Sequence, residues 1–220
     1  MDIRQDEITT LHDLHVNNTR LMKHVSELSA EMPVSVIMPM LYNEIKNDAL
    51  KNILEHLNKC TYLKNVIVPL AASNAEEFNH VKRFFSKLTI PKHIIWCNGP
   101  KISNLLLQLK SQGLDLSGYS GKGRDIWIAL GIASIESYAI ALHDADIQTY
   151  DESIPTKLLY PLLEPELDFK FNKGYYARTG IDRKMMYGRV FRLFLHPLLR
   201  SLVDVLHDEP NFVRFLRAFR

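Results

Sequence analysis

Two aspartates separated by one alanine, Asp144-Ala145-Asp146, directly follow the apolar run of residues 138–143. Side chains alternate along an extended chain, so acids at positions i and i+2 can point to the same side. Two carboxylates that emerge together at the end of a strand suit a hard divalent cation, which would neutralise the phosphates of a ligand. Asp-x-Asp is also common in turns, so the motif alone is weak evidence for a metal site. The residues expected to lie near it must show whether it binds a ligand.

Lys122 is the second candidate for chemistry, in Gly121-Lys122-Gly123 immediately before a predicted helix. Glycines let the backbone approach an anion, the helix start offers unpaired amides, and the lysine adds positive charge. The combination resembles a phosphate cradle, with a solvated turn as the alternative. It is not a Walker loop, because the upstream glycine spacing and the Ser or Thr after the lysine are both missing.

The loop Pro39–Glu44 follows the first predicted strand and supplies two more candidates. The Glu44 carboxylate is placed to meet a base or a ribose, and the Tyr42 ring offers a face for stacking. The alternative is a helix-entry loop in which Asn43 and Asp48 act only as caps.

The histidines show no metal-ligand spacing, and the sequence has no Cys/His cluster. Strict alternation points His143 away from Asp144, which favours a satisfied core histidine over a ligand. His196, before Pro197, is likewise predicted to be structural.

Residues 173–192 are strongly basic, with tyrosines between the charges. A solvated face, a nucleic-acid surface and a pocket for a small anion are the competing interpretations. Gly188-Arg189 favours the anion pocket, because glycine permits close approach. RNA binding would call for a more basic domain.

Short apolar segments alternate with helical patterns through the middle of the chain. Strands are predicted at Val34–Met38, Asn65–Leu70, His93–Cys97 and Tyr138–His143. Helices are predicted over residues 50–57, from a capping box at Ser73 to about Leu88, over Ile102–Gln112 and over Arg124–Ser134. The alternation predicts an α/β fold with a mostly parallel sheet. Ligands bind outside the carboxyl ends of such strands, so the loops 39–44, 71–74, 98–100 and 144–150 are expected to share one binding edge.

Composition bounds the class of protein. The chain has 220 residues and a net charge of +2, so its overall charge does not indicate binding to nucleic acid or to a membrane. The amino terminus lacks a signal-peptide pattern, and no apolar stretch approaches the roughly 18 residues of a membrane span. A cytoplasmic location is predicted, with Cys60 and Cys97 as free thiols and a single disulfide as the alternative.

Three regions are predicted: a helical lead-in over residues 1–32, an α/β domain over 33–150 and a further segment over 151–220. The last region is expected to hold a helix at Ile154–Leu163, an extended pair at Asp168–Arg178 and a long amphipathic helix at Val190–His207. The final residues stay amphipathic without a cap, which predicts that the last region is incomplete at its C-terminus.

Taken in order, these pieces resemble one family. Asn43-Glu44 after a strand, Gly121-Lys122-Gly123, Asp144-x-Asp146, Lys173-Gly-Tyr-Tyr176 and Gly188-Arg189-Val190 look like glucosyl-3-phosphoglycerate synthases, glycosyltransferases of the GT-A fold. The match runs from about Val34 to the last residue. The resemblance implies a Rossmann-like, mostly parallel sheet flanked by helices, with an appended acceptor-side hairpin and long helix.

The resemblance also implies roles for individual residues. The donor, a nucleotide-diphosphate sugar, would be bound by Pro39, Tyr42, Glu44, Ser73, Lys122, Asp144, Ala145 and Asp146. Asp146, with Asp144, would hold a Mg²⁺ or Mn²⁺ that bridges the two phosphates. A small anionic acceptor similar to 3-phosphoglycerate would be bound by Lys173, Tyr176, Gly188 and Arg189. No nucleic acid and no membrane span are implied, and a homodimer is left open.

The chain departs from the family pattern at Phe191, where the family has threonine in Gly-Arg-Val-Thr. Family members also continue beyond the point where this chain stops, and the resemblance places there a histidine that completes metal binding. The implied reaction is a retaining transfer of a hexose, glucose above all, by front-face attack of the acceptor hydroxyl.

Two rival functions remain. A sugar-phosphate nucleotidyltransferase would place a glycine-rich signature after the first strand, and Pro39–Glu44 has no glycine. The other rival is a non-catalytic nucleotide-sugar-binding fragment.

Overall fold

The computed structural model describes residue 11 and residues 16–174, 194–211 and 213. The chain divides into two compact units, one of Asn17–Asn172 and one of Met1–Val16 with Lys173–Arg220. The predicted boundaries at residues 32/33 and 150/151 remain predictions.

A parallel five-stranded sheet forms the centre of the unit Asn17–Asn172. Its strands are β1 (Val34–Ile37), β2 (Met40–Leu41), β3 (Leu63–Ala71), β4 (Lys92–Trp96) and β5 (Ala139–Leu142). β3 pairs with β4 along one side and with β1 and then β2 along the other, and β1 pairs with β5. The strand order is therefore β4–β3–β1–β5, with β2 continuing the line of β1.

Helices cover both faces of this sheet. They are α1 (Asn18–Ser29), α2 (Asp48–Leu57), α3 (Ala75–Phe84), α4 (Pro100–Ser111), α5 (Lys122–Ala133) and α6 (Ser153–Leu163), with 3₁₀ turns at Tyr42–Lys46 and Phe85–Lys87. One buried cluster joins the sheet to α1, α2, α3 and α6, and a second joins it to α5. All four residues of β1 are buried, as expected for a central parallel strand covered on both faces. The predicted α/β class with a mostly parallel sheet is confirmed.

The cap residues of two helices differ by one position from the sequence prediction. The predicted cap of α3 at Ser73 is wrong, because Asn74 is the cap and its Oδ1 accepts from the Glu77 amide at 2.9 Å. Glu77 in turn accepts from the amide of Ser73, the residue before the cap, at 2.7 Å, so the bonding differs from a capping box, in which the amide of the cap itself would donate. Asn47, not Asp48, caps α2 in the same manner.

Other differences lie outside the sheet. Residues 168–174 form no strand, and the rest of the predicted pair Asp168–Arg178 lies outside the described residues. Within the second unit the predicted helix Val190–His207 is α7 (His196–Val205), and residues 190–193 also lie outside the described part. The predicted lead-in helix is α1, which begins at Asn18 after its cap Asn17; residues 1–10 and 12–15 are not described.

Both cysteines are buried free thiols, as predicted. Burial raises the pKa of Cys60 to about 11 and that of Cys97 to about 12. The thiolate is the reactive form, so neither residue is a candidate nucleophile at neutral pH. Across the described ranges no helix has the length and apolar character needed to cross a membrane.

Candidate functional site

The carboxyl ends of β1 and β5 meet where the strand order reverses. From β1 the chain moves through α2 to β3 and then through α3 to β4, and only later returns through α5 to β5 on the other side of β1. Open α/β sheets bind ligands in the crevice at such a reversal. Pro39, Tyr42 and Glu44 follow β1, and the acid pair follows β5, so this edge gathers most predicted donor residues.

The acid pair lies in a turn just beyond β5. The His143 amide still donates to the Ile37 carbonyl at 3.2 Å, and the chain then turns at Ala145 and Asp146. The expected extended alternation is therefore wrong at this point, and a turn presents the two acids instead. Ala145 is only 2% exposed and belongs to the main core, whereas Asp144 is half-buried and Asp146 is exposed.

Lys122 is the first residue of α5, after Gly121 with a φ of 98°. That backbone conformation favours glycine, so Gly121 sets the direction in which the helix starts. The Lys122 Nζ donates to Asp144 Oδ1, which links the start of α5 to the acid turn. The first amides of any α-helix lack intrahelical acceptors, so an anion here would meet both these amides and the lysine.

Glu44 brings a third carboxylate to the same place. Burial raises the pKa of Glu44, and the negative charges of Asp146 and Asp144 act in the same direction, while a backbone hydrogen bond at Leu41 and the positive charge of Lys122 oppose them. The Glu44 Oε2 is buried and has no hydrogen-bond partner among the described residues. A ligand hydroxyl or N–H donor would satisfy this oxygen.

Tyr42 and Ser73 flank the cluster on the side of α3. The Tyr42 hydroxyl is 3.0 Å from His80 Nδ1, and their rings meet edge to face with centroids 5.9 Å apart. A groove of about 350 Å³ lies beside them, lined by Tyr42, Asn74, Glu76, Glu77, His80 and Arg83. Ser73 is exposed at the start of α3.

Two positioning groups were not singled out by the sequence prediction. Asn98 donates to the Ala72 carbonyl at 2.8 Å and accepts from the Ala72 amide at 3.2 Å, which fixes the loop before Ser73. Asn98 belongs to the loop 98–100, which the sequence analysis placed at the binding edge. That position was the one signal in the sequence that could have pointed to its role. His80, the partner of Tyr42, gave no signal beyond its place on α3.

No protein-family model matches the chain. A curated glucosyl-3-phosphoglycerate synthase of Methanococcoides burtonii is 49% identical over 222 residues, covering 100% of this chain and 54% of the relative. The chain is homologous to the glucosyl-3-phosphoglycerate synthases. A second such synthase, from Persephonella marina, is 37% identical over 216 residues, covering 97% of this chain and 52% of that protein. The chain therefore spans about half the length of the curated synthases it matches.

The parallel sheet flanked by helices agrees with the Rossmann-like GT-A fold that the resemblance to the synthases implies. On the acceptor side, Tyr176, Gly188 and Arg189 lie outside the described residues. Lys173 is exposed and falls in the second unit. The acceptor site therefore stays a prediction.

A complete metal site is not formed by the described side chains. Within residues 16–174 and the described parts of 194–213, no group of three or more His, Cys, Asp or Glu could hold a metal ion. The resemblance to the glucosyl-3-phosphoglycerate synthases already implies that Asp144 and Asp146 need a further ligand.

Replacing Glu44 with glutamine tests how much this half-buried carboxylate destabilises the fold. Because the pKa of Glu44 is raised, its ionised form opposes folding, so the variant is expected to unfold at a higher temperature at neutral pH. The stability of the unaltered chain falls as the pH rises through the raised pKa of Glu44. The melting temperatures of the two proteins should therefore converge as the pH falls toward about 4, because Glu44 is then protonated in the folded state and increasingly protonated in the unfolded state.

Thermal denaturation by circular dichroism between about pH 4 and 8 measures this difference. An equal melting temperature at every pH would contradict the assignment.

Proposed function

We propose that this chain is the donor-binding part of a glycosyltransferase that moves a glucosyl group from a nucleotide-diphosphate sugar to an acceptor similar to 3-phosphoglycerate. The observation that carries the proposal is the grouping of Glu44, Lys122 and the acid turn at the switch point of the sheet, in a chain 49% identical to a glucosyl-3-phosphoglycerate synthase. On this proposal residues 33–150 bind the donor and residues 151–220 face the acceptor.

Each residue of the cluster has a physical reason for its part. Negative charge builds on the leaving nucleoside diphosphate during transfer, so a lysine at a helix start is suited to stabilise it. Lys122 forms an ion pair with Asp144 and would exchange this contact for a phosphate when the donor binds. Glu44 offers the unpaired Oε2 to a ribose hydroxyl or a base N–H, with Pro39, Tyr42 and Ser73 around the nucleoside.

The donor set at the acid turn is suited to Mg²⁺ or Mn²⁺, because it consists of carboxylate oxygens only. Asp146 is exposed, whereas Asp144 is paired with Lys122, so Asp146 would be the principal ligand and Asp144 the second. When bound, the ion supplies Lewis-acid stabilisation to the diphosphate.

The proposed transfer retains configuration, as the resemblance implies. The acceptor hydroxyl attacks the sugar carbon from the face that the diphosphate leaves; the bond from that carbon to the diphosphate oxygen breaks, and the leaving diphosphate takes the hydroxyl proton. No side chain of the protein therefore has to act as a nucleophile. Lys173, Tyr176, Gly188 and Arg189 would bind the acceptor anion.

A second candidate is a nucleotide-sugar-binding fragment without catalytic activity. The observation that favours it is the coverage, since the chain spans only 54% and 52% of the two synthases.

A transfer assay separates these functions. The purified chain is incubated with UDP-, GDP- and ADP-linked glucose and mannose, with Mn²⁺ or Mg²⁺ and 3-phosphoglycerate or glycerate, and products are followed by mass spectrometry. Glucosylated 3-phosphoglycerate supports the transferase, and metal-dependent binding without product supports the fragment. Absence of any nucleotide binding would overturn both.

A further inference from the structure

A pair of buried side chains lies directly behind the acid turn. His143 is 7% exposed and Tyr150 is 2% exposed, and their rings pack with centroids 4.9 Å apart. The His143 Nδ1 lies 3.1 Å from the Asp144 carbonyl oxygen, and the His143 Nε2 lies 3.1 Å from the Tyr150 hydroxyl. Both ring nitrogens are therefore engaged, one with the turn and one with the core.

The direction of these hydrogen bonds follows from the groups involved. A carbonyl oxygen only accepts, so the proton lies on Nδ1, which donates to Asp144. An unpaired charge is costly to bury, and His143 is 7% exposed, so the ring is neutral. In the neutral ring Nε2 accepts, and the Tyr150 hydroxyl donates to it.

Tyr150 is itself anchored to the scaffold. The side-chain amide of Asn52 on α2 donates to the Tyr150 carbonyl at 2.9 Å, and the Tyr150 ring belongs to the main core cluster. Three hydrogen bonds thus run in series from α2 through Tyr150 and His143 to the backbone of the acid turn. We call this series the Asn52–Asp144 relay.

The acceptor at the end of the relay is the carbonyl of the planar peptide unit that joins Asp144 to Ala145. The two backbone torsions that flank this plane, ψ of Asp144 and φ of Ala145, set the direction of Asp146 relative to Asp144. The buried methyl group of Ala145 leaves little room for a change in these torsions. A hydrogen bond to the carbonyl therefore helps to fix how the two carboxylates are placed relative to each other.

We propose that Tyr150 and His143 are positioning residues that hold the Asp144–Asp146 turn in the geometry required for a divalent cation and a diphosphate. The inference rests on the proposed function, because it assigns that ligand chemistry to the turn. Tyr150 and His143 act through Asp144 rather than on the ligand. Loss of a group that hydrogen-bonds to a metal-binding residue typically weakens metal binding by about 10- to 100-fold.

The test compares two buried tyrosines that each lose one hydroxyl. Tyr150→Phe breaks the relay, whereas Tyr62→Phe removes a hydroxyl that lies 3.0 Å from Thr156 Oγ1 elsewhere in the same core. Mn²⁺ binding is measured by electron paramagnetic resonance with UDP, GDP or ADP present, whichever the chain binds, and stability is measured by thermal denaturation. Tyr150→Phe is expected to weaken Mn²⁺ binding by about 10-fold, and Tyr62→Phe is expected to leave it unchanged.

A second variant tests the order of the relay. In His143→Asn the shorter amide can still donate to the Asp144 carbonyl, but it removes the acceptor of Tyr150. In that background Tyr150→Phe should have no further effect on Mn²⁺ binding, since the hydroxyl already acts on nothing.

The outcomes separate this inference from the proposed function. If the unaltered chain takes up no Mn²⁺ with any nucleotide, the proposed function fails and the inference falls with it. If the unaltered chain binds Mn²⁺ and folded Tyr150→Phe binds it equally well, only the inference is overturned. If Tyr150→Phe lowers the Mn²⁺ affinity by the same factor in the His143→Asn background as in the unaltered chain, the relay from Tyr150 through His143 is overturned. Should Tyr150→Phe not fold, Mn²⁺ binding by His143→Asn decides, and an unchanged affinity would overturn the coupling of Tyr150 to the turn.

Discussion

Asp146→Asn is expected to weaken the Mn²⁺-dependent binding of a nucleoside diphosphate by about 100-fold, a loss of roughly 2.7 kcal/mol. Asparagine keeps the shape of the side chain and one oxygen but removes the charge that a hard cation requires. Asp146 is exposed, so the variant should fold with almost unchanged stability. Isothermal titration of the variant with nucleotide and Mn²⁺ measures the change.

Glu136→Gln is the matched control for this experiment. Glu136 is an exposed acid that pairs with Lys64 at 3.7 Å, next to the amino ends of β5 and β3 and therefore at the opposite edge of the sheet. The control removes the same charge from the same unit and should bind as the unaltered chain does. Equal losses in both variants would mean that overall charge, and not the acid turn, governs nucleotide binding.

Asp125→Asn is expected to lower the free energy of unfolding by about 3 kcal/mol, because breaking a buried ion pair leaves a charge without compensation. Asp125 accepts from Arg124 at 3.0 Å, and the two side chains are 8% and 14% exposed. Arg124 also donates to the carbonyls of Cys97 at 3.4 Å and Tyr119 at 3.2 Å, so the pair ties α5 to the end of β4 and to the preceding loop.

Urea denaturation measures this effect, again with Glu136→Gln as the control for an exposed pair, which should contribute little. Lys122 is the first residue of α5, the helix whose start the Arg124–Asp125 pair fixes. The folded fraction of the variant is therefore expected to bind nucleotide more weakly. A stability change no larger than that of the control would show that Arg124 finds other partners and that the pair does not fix the start of α5.

The sheet was predictable from the sequence because its strands lie between two layers of helices. Segments such as Val34–Met38 are buried on both faces, so they can be recognised in the sequence as continuous apolar runs rather than by alternating polar and apolar residues. β2 was missed, since two residues that pair with the far end of β3 carry no local pattern. The cap of α3 was off by one, because Ser73 and Asn74 both carry a suitable oxygen and only the extended backbone of Asn74 decides between them.

The candidate site was predictable only as far as strand order allows. Parallel strands end at one edge, which places Glu44 and the acid pair together once the α/β alternation is recognised. The contact of Lys122 with Asp144 joins residues 22 positions apart, and the isolation of the Glu44 Oε2 depends on everything packed around it. Such long-range facts leave no signature in residue spacing.

The most direct test of the central claim is a titration of the unaltered chain with UDP, GDP and ADP, in Mn²⁺ and again in EDTA. At least one nucleotide is expected to bind in Mn²⁺, to be lost in EDTA and to bind again when excess Mn²⁺ is added. Equal affinity in Mn²⁺ and in EDTA would contradict a donor site built around the acid turn.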